Sequence, residues 1–277
     1  MTDAPDIASE MITYGRQPLE TGITMEYARK GHGPHSFVLV HGYGDSWYSF
    51  YGMMQAFPDS CSVLAVSLRG FGESDKPETS YSIGQHAEDV IALLQALGTG
   101  PSVIVGHSMG TFIAREIALR APGLAQKLVL VDTAATGATP PLVALARDLS
   151  ELQDPLPRSF AHEFQAGTCV NPLGGGMTLD KIVDESMKAP AHVWKSALAG
   201  LLDYRPPAGP FPELAQLTLP VLLVWGAHDE IFLREDQDTL LAALPDARLS
   251  VYAAAGHAPN WEVPEELCSE IRNFCGL

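Results

Sequence analysis

Ser102-Val103-Ile104-Val105-Gly106-His107-Ser108-Met109-Gly110-Thr111-Phe112-Ile113-Ala114-Arg115-Glu116-Ile117-Ala118-Leu119-Arg120 is the stretch on which the fold turns. Val103 to Val105 have the β-branched character of a buried parallel strand, and Phe112 to Leu119 have the composition of a helix. The residues from Gly106 to Gly110 must therefore turn sharply between them, and the two glycines make that turn sterically possible. A serine held at such a bend has its hydroxyl thrust out of the sheet, with the next peptide N–H aimed at the same space. This is a nucleophile elbow with Ser108 as nucleophile, the geometry that acyl transfer requires.

Outward from the elbow, strand-like and helix-like segments alternate. Phe37-Val38-Leu39-Val40, Val63-Leu64-Ala65-Val66, Leu128-Val129-Leu130-Val131 and Val221-Leu222-Leu223-Val224-Trp225 are continuously apolar, as central parallel strands are. Trp47 to Phe57 is helical in composition. Ser82 caps a helix whose apolar residues Ile83, Ala87, Val90, Ile91, Leu94 and Leu97 follow the 3.6 period and whose stop is Gly98. Near the start, Ile23 to Ala28 alternate like a half-exposed antiparallel edge strand, while residues 1 to 20 show little pattern and are expected to drape the surface. A strand from Arg248 to Tyr252 and a final helix from about Pro264 close the chain.

The predicted fold class is α/β: a mostly parallel central sheet flanked on both faces by helices, with right-handed crossovers. The rhythm breaks at Thr136. Residues 137–212 are richer in proline and glycine, with Pro140-Pro141, Pro155, Pro157, Gly174-Gly175-Gly176 and Pro206-Pro207 separating short helical pieces. That segment reads as a helical cap inserted into a core domain formed by residues 1–136 and 213–277.

Composition narrows the partners. With 46% hydrophobic residues in 277, the chain can bury a large core, and a formal charge of −16 argues against nucleic acid or an anionic membrane surface. Neutral or apolar small molecules fit better. No apolar run approaches a membrane span, and Met-Thr-Asp-Ala-Pro-Asp lacks the features of a signal peptide, so a cytoplasmic location is expected. Cys61, Cys169, Cys268 and Cys275 form no Cys-x-x-Cys pair and are read as reduced. No residue pattern specifies an oligomeric state.

A serine hydroxyl needs a base to take its proton, and a histidine base needs an anion to fix its tautomer. His257 lies just past the strand ending at Tyr252, and Asp229 just past the strand ending at Trp225. Asp132, which also follows a core strand, is the alternative acid.

His41-Gly42-Tyr43-Gly44, Arg69-Gly70-Phe71-Gly72-Glu73-Ser74, Gly106-His107-Ser108-Met109-Gly110, Gly226-Ala227-His228-Asp229 and Gly256-His257-Ala258-Pro259 together resemble the α/β-hydrolase fold superfamily, over nearly the whole chain outside its first twenty residues. The resemblance implies Ser108 as nucleophile, Asp229 as acid, His257 as base, and an oxyanion hole made by the backbone N–H groups of Tyr43 and Met109. It implies no cofactor.

Other residues have plainer readings. His41 is structural within the oxyanion loop, His107 packs beneath the elbow, and His228 is a loop residue. His162-Glu163 opens like a zinc helix, but Ala166 stands where the second histidine should be, so no metal site is expected. Gly174-Gly175-Gly176 has neither the strand before nor the lysine after that a phosphate loop needs, and reads as a flexible cap loop. Phe160, Met187 and Trp194 of the cap are candidates to line the substrate pocket.

Serine at the elbow argues against haloalkane dehalogenase and epoxide hydrolase chemistry, which need a carboxylate nucleophile. The Gly-Tyr-Gly-Asp loop differs from the Gly-Pro-Gly loop of many carbon–carbon hydrolases and lacks the triple glycine of hormone-sensitive-lipase-like esterases. The expected activity is hydrolysis of a carboxylic ester, linear or lactone, of a neutral and fairly apolar small molecule. The alternatives are a ligand-sensing receptor that keeps the triad, or a cofactor-free perhydrolase or carbon–carbon hydrolase using the same residues.

Overall fold

The apolar runs become the interior strands of an eight-stranded sheet in the computed structural model, which describes residues 11–204 and 212–277. In chain order β1 (Thr13–Pro18) and β2 (Thr24–Lys30) are followed by β3 (His35–Val40), a single helical turn at Trp47–Phe50, α1 (Tyr51–Ala56) and β4 (Cys61–Val66). Then come α2 (Ile83–Ala96), β5 (Ser102–His107), α3 (Met109–Arg120) and β6 (Ala125–Val131). Four helices precede the next strand: α4 (Pro140–Asp148), α5 (Arg158–Ala166), α6 (Leu179–Ser186) and α7 (Ala191–Leu202). The chain finishes with β7 (Val221–Gly226), α8 (Arg234–Ala243), β8 (Ala247–Tyr252), α9 (Pro259–Glu262) and α10 (Pro264–Cys275).

Strand order is β1-β2-β4-β3-β5-β6-β7-β8; β2 runs antiparallel to β1 and β4, and the other pairings are parallel. The pleat sends successive residues to opposite faces. Accordingly Val38, Leu64, Ile104 and Leu128 join one core cluster, while their neighbours Leu39, Ala65, Val105 and Val129 join the other. A strand buried on both sides has no polar face to alternate with, which explains the unbroken apolar runs.

The chain leaves β3 for β4 on one side and reaches β5 on the other. The loops after β3 and β5 therefore sit side by side at the carboxyl ends of adjacent strands where the winding reverses, the place where such sheets form ligand crevices.

Three expectations change. Residues 13–18 are not surface drape: they form the edge strand β1, which makes β2 an interior strand rather than the edge. Gly174-Gly175-Gly176 is a packed loop. Gly174 N donates to Trp261 O at 2.7 Å, and a Cβ on Gly175 would collide with Gly52, so Gly175 serves close approach of two backbones. A short α9 precedes the expected last helix. Pro206-Pro207 and the first ten residues lie outside the described residues. Among the described residues no helix is long and apolar enough to cross a membrane.

Candidate active site

β5 and α3 meet at Ser108, whose φ of +50° and ψ of −120° place a non-glycine residue in left-handed backbone. Such strain is on the order of 1–3 kcal/mol and persists only where the surroundings impose it. Here Ser108 N donates to Val131 O, and Ser108 O accepts from Thr111 N and, at 2.7 Å, from Thr111 Oγ1. A Cβ at Gly106 would strike the Gly110 carbonyl, and one at Gly110 the Val40 carbonyl. The two glycines flanking the elbow are thus set by close backbone approach.

Ser108 Oγ lies 2.9 Å from His257 Nε2, and His257 Nδ1 lies 2.9 Å from Asp229 Oδ2. The Asp229 carboxylate requires a donor at Nδ1, so the Nε2 lone pair faces the serine hydroxyl. Asp229 is fixed in turn, because its Oδ1 accepts from Ile231 N at 2.7 Å and Phe232 N at 3.2 Å. All three side chains are buried.

Asp132 stands beside this chain of bonds. Its Oδ1 accepts from Gly226 N at 2.9 Å, while Oδ2 is buried without a partner. Ligand-type atoms of Asp132, Asp229 and His257 lie within 4.8 Å of one another, but the His257–Asp229 hydrogen bond occupies the atoms a cation would need. Burial and the neighbouring Asp229 charge push the Asp132 carboxyl well above the usual carboxylate range. A carboxyl that holds its proton more tightly is a poorer partner for an imidazolium, so Asp229 is the better candidate.

The loop after β3 faces the serine: a Cβ at Gly42 would stand 3.2 Å from Ser108 Cβ. Tyr43, next in the chain, lines the chamber over Ser108, and Met109 opens α3, where first-turn N–H groups have no intrahelical acceptor. The Tyr43 phenol donates to Trp194 O at 2.6 Å. His41 is structural, accepting from Leu68 N at 2.9 Å through Nε2; burial holds its pKa down at about 4, so it stays neutral. His107 Nε2 lies 2.8 Å from His257 O, beneath the elbow.

The chamber over Ser108 is small, about 20 Å³, lined by the loop after β3, by His107, and by Leu142, Phe164, Gln165, Thr168, Leu201, Ile231 and Trp261. Thr168, Ile231 and His257 also border an open groove of about 370 Å³ that includes Val170, His228, Glu230 and Gly256. The expected lining residues Phe160, Met187 and Trp194 are not in either wall. Trp194 is fully buried, with Tyr43, Phe160 and Phe164 edge-on around it at 5.0–5.2 Å. These aromatics pack the underside of the helical segment. Phe164 also reaches the chamber, as does its neighbour Gln165, and nothing in the sequence marks those two, because which face of an amphipathic helix meets a site depends on how the helix is docked.

A family model described as "Alpha/beta hydrolase family" matches residues 37–270. The chain is 27% identical to 2-(acetamidomethylene)succinate hydrolase of Mesorhizobium japonicum, over 99% of each chain. It is 26% identical to epoxide hydrolase 3 of Xenopus tropicalis, over 92% of this chain and 75% of that one. An esterase from Exiguobacterium antarcticum superposes with a TM-score of 0.83 at 20% identity, covering 95% of this chain and 99% of its own.

Proposed function

Since the chain belongs to the alpha/beta hydrolase family, we propose that it is a serine hydrolase cleaving a carboxylic ester, linear or cyclic, of a neutral small molecule through an acyl-enzyme on Ser108. The observation that carries this reading is the continuous hydrogen-bonded series Ser108 Oγ, His257 Nε2, His257 Nδ1, Asp229 Oδ2, with both contacts at 2.9 Å. His257 takes the hydroxyl proton as Ser108 attacks the carbonyl, returns it to the leaving alcohol, and then activates a water that hydrolyses the acyl-enzyme. The N–H groups of Tyr43 and Met109 stabilise the tetrahedral oxyanion, each worth about 3 kcal/mol on the scale of comparable sites.

Two features separate this reading from the relatives' printed activities. Residue 108 is serine, so the alkyl-enzyme ester of a carboxylate nucleophile is not available, which disfavours epoxide opening. Asp45, Asp229 and Glu230 border the chamber and groove, and no lysine or arginine does among the described lining residues. A succinate-like dianion would meet like charge without a partner; a neutral ester would not. Helices α4 to α7 act as a cap that roofs the chamber and excludes water during the acyl-enzyme stage.

The test is hydrolysis of p-nitrophenyl butyrate by the wild type and by Ser108→Ala, with an organophosphonate trap located by mass spectrometry. Loss of turnover by up to about 10⁶-fold in kcat and a label on Ser108 are expected. Unchanged turnover in Ser108→Ala, or a label elsewhere, would end the proposal.

A further inference from the structure

Gln165, on α5, has no exposed surface and lines the chamber over Ser108. The two N–H groups of its Nε2 are shared among three acceptors, Gly44 O and Asp45 Oδ1, each at 3.1 Å, and Ser186 Oγ at 2.7 Å. The Ser186 hydroxyl is itself used as a donor to Ile182 O at 3.0 Å, so all three neighbours are acceptors. That fixes which end of the amide is nitrogen, because the flipped amide would set its oxygen against three lone pairs. The consequence is that Gln165 Oε1 is a buried acceptor with no partner among the described residues. A buried amide oxygen left unbonded is destabilising, and native structures keep few of them without a reason.

One neighbour repeats the pattern. His107 Nε2 meets a carbonyl, His257 O, and must donate to it, which leaves Nδ1 as the ring's free nitrogen. That Nδ1 is buried without a hydrogen bond, 3.8 Å from Asp45 Oδ2. Asp45 contributes a carboxylate, already accepting from Gln165 and, at 3.0 Å, from Ser49 Oγ. All three residues line the chamber, where Gln165 Oε1 and the Asp45 carboxylate present acceptors.

Resting on the serine hydrolase reading, we infer that the chamber selects its substrate through a hydrogen-bond donor: the ester attacked by Ser108 carries an uncharged O–H or N–H that Gln165 Oε1 accepts. A hydroxyacyl or N-acylaminoacyl ester has such a group. A plain alkanoyl ester enters but leaves Oε1 unbonded, and an acyl group bearing a carboxylate is repelled by Asp45. Gln165 thus has two roles on two atoms. Its nitrogen holds the Gly44-Asp45 loop for every substrate, and its oxygen discriminates among them.

The experiment compares kcat/KM for the p-nitrophenyl esters of butyrate, 2-hydroxybutyrate, 3-hydroxybutyrate and N-acetylglycine in the wild type and in Gln165→Met. The wild type is expected to prefer at least one donor-bearing ester over butyrate by about tenfold, the scale of one neutral hydrogen bond in a dry site. Gln165→Met is expected to lose that preference while its butyrate activity falls only through the loosened loop. No preference in the wild type, or a preference that survives Gln165→Met, would overturn the inference. A second arm measures binding of the same esters to Ser108→Ala by calorimetry. Tighter binding of a donor-bearing ester without turnover in the wild type would retain the selectivity and reject ester hydrolysis. Equal binding with intact turnover would reject the selectivity alone.

Discussion

The Tyr43 hydroxyl donates a 2.6 Å hydrogen bond to the main-chain carbonyl of Trp194, tying the loop after β3 to helix α7. Three more bonds join the same loop to the helical segment: Gln165 to Gly44 O and to Asp45, and Ser46 Oγ to Glu185 Oε2 at 3.1 Å. Gly44, at a φ of +80°, is pressed against the Trp194 ring so closely that a Cβ would stand 2.6 Å from it. The proposed oxyanion donor at Tyr43 is therefore positioned by the roof of the site as well as by its floor.

Tyr43→Phe isolates that coupling. The substitution keeps the ring in its aromatic cluster and leaves the backbone N–H in place, but it removes the second bond on the Trp194 carbonyl, which keeps its partner within α7. Stability should fall by about 1 kcal/mol, read from a denaturant midpoint. With p-nitrophenyl butyrate, kcat should drop by about tenfold with KM little changed, because a misplaced N–H weakens only the developing oxyanion. A change confined to KM would assign the tether to substrate binding.

The two buried aspartates should separate cleanly. Asp229→Asn replaces an acceptor with an amide that cannot hold the productive tautomer, and a loss on the order of 10⁴-fold in kcat is expected, the scale of the same exchange in another serine hydrolase. Asp132→Asn should leave kcat within a few-fold of wild type and raise thermal stability at neutral pH. Its carboxyl has a raised pKa in the folded chain, so the folded state holds a proton that the unfolded chain releases above about pH 3.9. Stability from that group is complete below this pH and is lost as pH rises through the folded pKa. Asparagine keeps the Gly226 bond and removes the loss, so melting curves should gain about 2 °C or more at pH 7.5 and converge near pH 4. A large activity loss in Asp132→Asn would move the acid assignment.

The strands, the α2 helix and the elbow were legible in sequence because each rests on local chemistry. Continuous apolar runs mark strands covered on both faces, Ser82 caps α2 by accepting from Gln85 N at 3.2 Å, and Gly98 ends it at a φ of +62°. Ser108, His257 and Asp229, which the fold brings together as a candidate triad, could be singled out because each follows a strand end. The exposed strand β1 was missed because Thr13–Pro18 buries too little to show a pattern; its burial is set by its place at the sheet edge. The chamber walls were missed for another reason. Gln165, Thr168 and Ile231 reach Ser108 only through the docking of helices and loops distant in sequence, and no local pattern carries that information.

Acid should unfold the protein through two buried histidines outside the candidate triad. Burial lowers His41 to about 4 and His86 to about 3. Both values lie below the unfolded 6.5, so the unfolded chain takes up protons first as pH falls. The stability these groups provide is intact above about pH 6.5 and is lost between there and about pH 3, by several kcal/mol at about 1.4 kcal/mol per unit. His86 faces His41, Arg69 and Tyr81 and has no hydrogen-bond partner on either ring nitrogen among the described residues. His86→Leu should shift the acid unfolding midpoint to lower pH, with a stability gain over wild type that widens from pH 7 to pH 4. A gain independent of pH would trace the effect to packing alone.

Ile231 should control which esters reach Ser108. A chamber of about 20 Å³ has room for roughly one water, whereas the adjoining groove, about 370 Å³, falls within the range of small-ligand pockets. Between them stand Thr168, Ile231 and His257, and His257 is fixed by its bonds to Asp229 and Ser108. The movable part of the wall is therefore Thr168 and Ile231, and of these Ile231 is the bulkier and is partly exposed. Its backbone N–H anchors Asp229, a bond that any side chain other than proline preserves. Ile231→Ala should merge chamber and groove without disturbing the acid, lowering KM for p-nitrophenyl octanoate by about tenfold while leaving the acetate ester nearly unchanged. Ile231→Trp should do the reverse, raising KM for the long ester first. Equal effects of Ile231→Ala on both esters would show that substrate reaches the serine by another path, between helices α4 to α7.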